Sequence, residues 1–227
     1  MKQFLLILSC VLILSNAACD SIQWGVKTGL NLSQHYGSKD QAENYHVKTI
    51  MIPGVCEGAF INFPVTDRFS VQQEVLFSQK GSKEKISVKG EPVSVTVDYR
   101  MDYIEIPILL NMIVIKSGKW DIASSFGTAL SMKTYSDYSL KGRVLFNTGD
   151  SLEVIPITAH SMMSNMDTFD YSFVYGGKVM YQKCRYQLFA EYRFTIGWNP
   201  ILLPTYSDNG MVSLRNQTYS LLLGFSY

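Results

Sequence analysis

Between Tyr186 and Trp198 the chain alternates without a break. Tyr186, Leu188, Ala190, Tyr192, Phe194, Ile196 and Trp198 share one parity; Gln187, Phe189, Glu191, Arg193, Thr195 and Gly197 share the other. Successive strand side chains point to opposite faces, so this segment as a strand carries a greasy stripe on one side and both of its charges on the other. The last nine residues repeat the arrangement: Tyr219, Leu221, Leu223, Phe225 and Tyr227 oppose Ser220, Leu222, Gly224 and Ser226. Ending on an aromatic is how an outer-membrane β-barrel strand ends, with its greasy face toward lipid.

Period-2 patterns predict eight strands, at about 22–33, 52–63, 69–80, 99–115, 120–132, 169–181, 185–198 and 214–227, and no amphipathic helix competes. The connections alternate in length. Long ones (34–51, 81–98, 133–168 and 199–213) take turns with short ones at Pro64–Arg68, Lys116–Lys119 and Gln182–Cys184. An all-β, eight-stranded, antiparallel up-and-down transmembrane barrel requires this order, with long outer loops and short periplasmic turns. Facing patterns agree: Trp24, Val26, Leu30 and Leu32 oppose Gly25, Lys27, Gly29 and Asn31, while Ile104, Ile106, Ile108, Leu110 and Met112 oppose Tyr103, Glu105, Pro107, Leu109 and Asn111. Trp24, Phe63, Trp120, Tyr181, Tyr186 and Trp198 fall near strand ends, as in the aromatic girdles of membrane barrels.

A soluble barrel with an apolar interior would alternate equally well, but its outer face would meet water and carry charges. Here the polar faces are rich in Gly, Ser and Thr with one or two charges per strand. The run Lys80-Gly-Ser-Lys-Glu-Lys85 is expected to be a solvated loop base. The membrane barrel is therefore the expected fold.

The start of the chain supports export. Lys2 precedes an apolar stretch, Phe4 to Leu14, broken by Ser9 and Cys10 and followed by small residues at Ser15, Ala17 and Ala18. This is the form of a secretory signal peptide over 1–18, leaving 19–227 as one barrel domain. Its apolar core is too short for a membrane helix. Cys19 follows Asn16-Ala17-Ala18 and is a candidate acylation site; the alternative is an ordinary cleavage, since Asn16 stands where lipoprotein sites usually have an aliphatic residue. Cys56 and Cys184 lack metal-site spacing and are read as unpaired thiols. A net charge of +1 over 227 residues gives nucleic acid no electrostatic footprint.

Three stretches, Asp67-Arg-Phe-Ser-Val-Gln-Gln-Glu-Val-Leu-Phe-Ser-Gln-Lys-Gly81, Tyr103-Ile-Glu-Ile-Pro-Ile-Leu-Leu110 and Glu191-Tyr-Arg-Phe-Thr-Ile-Gly197, resemble the PorT-like outer-membrane β-barrel family of Bacteroidetes-type bacteria. The resemblance spans essentially the whole mature chain, with Gln73 in place of a usual proline. It implies the barrel fold. The namesake assists a secretion system for cargo proteins, but most relatives have no known task, so that role is not carried over.

Chemistry inside such a barrel is constrained by size, because eight strands leave an interior that side chains fill. Parity sends Lys27, Glu74, Glu105, Asp170, Lys178, Glu191 and Arg193 inward, a mixed-sign set read as a structural salt-bridge network plugging the barrel. Arg193 is the expected hub, with Glu105 as one candidate partner. Glu74 and Glu105 as an acid and base pair is the catalytic alternative. His35, His46 and His160 are placed in outer loops without ligand spacing. The expected function is non-enzymatic: a structural element or interaction platform at the outer loops, with no cofactor or metal. Alternatives are a secretion accessory, a small channel, or a surface barrel enzyme. Expected partners are the outer-membrane bilayer, the barrel-assembly machinery through the strand ending at Tyr227, and an unidentified protein or surface ligand at the loops.

Overall fold

The alternating segments pair antiparallel, each with its sequence neighbour, because short turns bring them side by side. The computed structural model describes residues 22–37, 45–88, 94–147, 152–162, 169–199, 201–202 and 213–227. In chain order the strands are β1 (Gln23–Gly37), β2 (Tyr45–Ile50), β3 (Ile52–Pro64), β4 (Phe69–Val88), β5 (Ser94–Ser117), β6 (Trp120–Asn147), β7 (Leu152–Met162), β8 (Phe169–Lys183), β9 (Tyr186–Gly197), β10 (Ile201–Leu202) and β11 (Ser213–Ser226). The expected signal peptide, 1–18, and Cys19 lie outside the described residues.

The ladder runs β1-β3-β4-β5-β6-β8-β9-β11, and β11 pairs back onto β1 from Gly25↔Ser226 to Gly37↔Leu214. Trp24 and Tyr227 complete the seam, exchanging backbone hydrogen bonds of 3.1 and 2.9 Å. Closure removes the free edges that a flat sheet would expose, which a membrane requires. Among the described residues, no helix is long and apolar enough to cross a membrane.

The expected facing holds through the belt. Trp24, Leu30, Val75, Ile108, Tyr175, Tyr192, Leu221 and Leu223 are exposed, whereas Lys27, Glu74, Glu105, Asp170, Lys178, Glu191 and Arg193 are buried inside. Aromatic contacts ring both ends of the belt. Trp120 meets Tyr181 at 4.9 Å and Tyr186 meets Tyr227 at 5.4 Å at the short-turn end; Phe173 meets Trp198 at 5.5 Å at the other. Glu57, on β3, is an exception and faces outward among these apolar residues.

The long loops are where the sequence reading fails. Among the described residues there are eleven strands where eight were expected, and β2, β7 and β10 fall within stretches read as loops. The expected loop 81–98 is mostly strand, since β4 continues to Val88 and β5 begins at Ser94. The expected loop 133–168 is mostly β6 and β7. A transmembrane strand needs about 9–11 residues, so β4, β5 and β6, at 20, 24 and 28 residues, continue well past the belt. There β2 pairs with β4 and β7 with β6, building the sheet β2-β4-β5-β6-β7. A register shift where Asp102 and Tyr103 meet Tyr135 and Lys133 marks the junction on β6 and switches its inward parity. The run Lys80–Lys85 is no loop base: Lys80, Ser82 and Glu84 are buried on the inner face of β4.

Candidate functional site

The interior is built in three storeys. In the middle, β1 supplies Lys27, β4 supplies Glu74, and β9 supplies Glu191 and Arg193. Lys27 Nζ lies 2.6 Å from Glu74 Oε1 and 3.1 Å from Glu191 Oε2. The Arg193 guanidinium donates to both Glu74 oxygens, at 2.9 and 3.0 Å, and to Glu191 Oε1 at 2.5 Å. Four side chains from three strands thus form one closed ion cluster with almost no solvent contact. Gly58 and Gly224 stand opposite Lys27 on the two neighbouring strands, and a Cβ at Gly224 would collide with Cζ of Phe189, so that glycine makes room for the ring. The fork of Arg193 suits carboxylate recognition in a way that a lysine cannot reproduce.

The upper storey is a second set. Lys80 pairs with Glu105, whose Oε1 also accepts from Ser131 Oγ at 3.2 Å. Asn216 Nδ2 donates to Asp170 Oδ2 at 3.0 Å and to the Tyr103 hydroxyl at 3.3 Å; Lys80 Nζ lies 5.3 Å from the Tyr103 ring. Glu105 is therefore the partner of Lys80, not of Arg193: it sits in line with Leu76 on β4, further along the axis than Glu74. Above this, His35 is buried with its ring 5.6 Å from Tyr99 and Nδ1 3.9 Å from Glu84 Oε1. Burial, then the neighbouring Glu84 carboxylate, pushes the Tyr99 phenol up from its ordinary value.

The lower storey, toward the short turns, is polar but less charged. Lys178 Nζ donates to Gln72 Oε1 at 2.9 Å, and Asn111 Nδ2 donates to the same oxygen at 3.1 Å. Gln72 Nε2 donates to Glu74, linking this storey to the ion cluster. Ser125 Oγ donates to Asn111 Oδ1 at 2.6 Å. Phe60 and Phe189 meet edge to face at 5.6 Å below the cluster.

All seven residues expected inside are inside, in three groups. Lys27, Glu74, Glu191 and Arg193 form the ion cluster, Glu105 and Asp170 lie above it, and Lys178 below. Sequence reasoning missed Lys80, Glu84 and Asp121, and it placed the amides Gln72 and Asn111 on the inward faces without giving them a part in the network. For Lys80 and Glu84 a signal existed: they continue the even parity of Glu74, Leu76 and Ser78. His35 is in β1 rather than a loop, on the parity of Asn31 and Ser33. His46 and His160 lie on β2 and β7, and the His46 side chain is exposed. Cys56 is buried inside on β3, and Cys184 is exposed in the β8–β9 turn with φ of 57°. No cluster of metal-ligating side chains occurs among the described residues.

The model of the family described as outer membrane protein beta-barrel domain matches residues 15–203, and the chain belongs to that family. No curated protein matches it in sequence. Among solved structures it is similar to the outer membrane protein OprG from Pseudomonas aeruginosa, at 8% identity and TM-score 0.49, covering 90% of this chain and 95% of that one. It is also similar to Neisserial surface protein A, at 11% identity and TM-score 0.42, covering 90% and 98%. The outer membrane protease OmpT from Escherichia coli matches at 8% identity and TM-score 0.44, covering 92% and 96%.

Proposed function

From membership of this outer-membrane family we propose that the chain is a non-enzymatic, eight-stave barrel that works as an anchored platform. Its short turns face the periplasm, and its outer sheet carries the interaction surface. The staves are β1, β3, β4, β5, β6, β8, β9 and β11; β2, β7 and β10 belong to the outer part. The single observation that carries the reading is the closed cluster Lys27–Glu74–Arg193–Glu191 across the bore, whose side chains have almost no solvent contact. Charges paired in this way hold each other and do not serve as an acid and base poised at a substrate. The sheet β2-β4-β5-β6-β7 gives the platform its reach beyond the belt. The sequence resemblance to PorT-like proteins supports a finer placement within this family, without carrying the secretion role.

Two measurements test the reading. The purified protein in planar bilayers is expected to show no stepwise conductance; resolved single-channel openings would overturn the plug. An epitope inserted between β6 and β7 should be labelled on intact cells, whereas one in the Ser117–Trp120 turn should be labelled after the outer membrane is opened. The reverse order would overturn the orientation.

A further inference from the structure

The lower storey opens toward the short turns as a cavity of about 250 Å³, with Phe60, Gln72, Asn111, Asp121, Lys178 and Phe189 among its lining residues. Two opposite charges are buried in it and do not satisfy each other. Lys178 is 5% exposed; its ammonium donates to Gln72 Oε1 and lies 5.5 Å from the Phe189 ring, with no carboxylate in ion-pair reach among the described residues. The other interior cations with described partners, Lys27, Lys80 and Arg193, each have at least one carboxylate. Asp121 is 2% exposed and its Oδ1 has no hydrogen-bond partner. Lys116, opposite Asp121 in register, is exposed and makes no ion pair with it.

Register fixes the spacing. On β6 and β8, Asp121 stands opposite Met180 and Ala123 opposite Lys178, so Asp121 and Lys178 are inward-facing diagonal neighbours. Such positions lie about 7–8 Å apart at the backbone. This is too far for direct contact of a short aspartate with an ammonium turned toward Gln72, and close enough for one small molecule to touch both. An isolated buried charge is costly, so a ligand carrying both complementary charges gains from each.

We propose that this cavity is a binding site for a small zwitterion bearing a primary ammonium and a carboxylate, of the size of an α-amino acid. Asp121 accepts from the ligand ammonium, and Lys178 donates to the ligand carboxylate with its remaining N–H groups. Phe60 and Phe189 supply the apolar walls, and the Asn111 and Gln72 amides hold the Lys178 head in place. The volume falls below the usual range for drug-sized ligands, roughly 300–1,000 Å³, which restricts the site to small molecules. The inference rests on the barrel interior and not on the outer platform, so either can fail without the other.

The test uses the intact mature protein in detergent micelles, titrated with L-alanine, acetate or methylammonium, with binding read by calorimetry and by the shift of the thermal transition. L-Alanine is expected to bind saturably and raise the transition, and to bind at least about tenfold tighter than either single-charge probe, as the loss of one charge-assisted hydrogen bond implies. Asp121→Asn and Lys178→Gln should each remove the L-alanine effect. Acetate binding as tightly as L-alanine would overturn the proposal in favour of a simple anion pocket at Lys178. So would no binding of any probe at millimolar concentration, which would leave a hydrated cavity. The comparison among probes on the wild-type protein decides the matter even if a variant does not fold.

Discussion

The lower and upper halves of β5 obey opposite rules. Below Tyr103, the residues facing out are Ile104, Ile106, Ile108 and Met112, and those facing in include Glu105 and Asn111. Above it, Asp98, Arg100 and Asp102 face out, and Val97, Tyr99 and Met101 face in. The parity of the strand does not change; the polarity assigned to each parity does. The inner residues of the upper half join Leu214 in an apolar cluster, with Ile86, Tyr138 and Leu140 packed against it. On the outside, Lys83 and Asp98 pair at 3.2 Å. A lipid belt below and water above explain the inversion: apolar surface must hide from water, and only the lower half has lipid to hide in. The boundary on β5 therefore falls near Asp102 and Tyr103.

The largest effects are expected in the lower half, where buried charges hold each other. Arg193→Ala leaves Glu74 and Glu191 to share Lys27 and should cost about 3–5 kcal/mol, measured as thermal or denaturant unfolding in micelles. Adding Glu74→Gln should recover part of that loss. Adding Glu105→Gln should recover none, since Glu105 belongs to Lys80. Recovery with Glu105→Gln would mean that the storeys are not separate and that the two interiors titrate as one.

A smaller and more direct test places charge on one face of β5 on either side of the boundary. Ile106→Lys puts an ammonium into the belt and should lower the stability of the barrel in lipid vesicles by about 2–4 kcal/mol, as lipid-facing lysines do near a bilayer midplane. Arg100→Glu, six residues away on the same parity, should change it by no more than about 0.5 kcal/mol, as is usual for surface substitutions. Equal costs at both positions would erase the comparison and place the upper sheet in lipid. Conversely, Tyr99→Ser opens the upper apolar cluster. It should speed amide exchange in β4 to β6 above the boundary, and near Leu214 of β11, while leaving β8, β9 and the rest of β11 protected, because stability is not uniform along such a structure.

The same inversion explains what was legible in the sequence. β9 and β11 lie within the belt for most of their length, so a continuous greasy parity announces them, and the inward charges Glu191 and Arg193 of β9 follow automatically. In the upper half the outward parity is polar and the inward parity mixed. The stretch from Lys80 to Lys85 therefore has the composition of a solvated loop although its backbone pairs with β5 from Lys80↔Met101 to Lys85↔Thr96. The register shift beyond Lys133 hides β6 further, because a reading that keeps one parity places its inner residues outside. The partners in the interior were less legible than its membership. Parity gives the face of a side chain but not its height along the axis, and height is what pairs Glu105 with Lys80 and leaves Lys178 with Gln72.

A smaller stabilising effect is expected at a charge that breaks the belt rule. Glu57 faces outward on β3, opposite Thr28 on β1 and Phe77 on β4, with exposed Val55 two residues away. On a lipid-facing surface an acidic side chain costs less than a basic one, but it still gives up hydration that lipid does not replace. If the surface around Glu57 meets only acyl chains, Glu57→Leu should stabilise the barrel in vesicles by about 1 kcal/mol, an increment below the cost of a lipid-facing lysine. The same substitution in the upper sheet, at exposed Lys85, should bring no gain, since a leucine there meets water. A loss of stability on Glu57→Leu would mean that this carboxylate is satisfied by a group other than lipid, and that the belt has a polar contact on its β1–β3–β4 side.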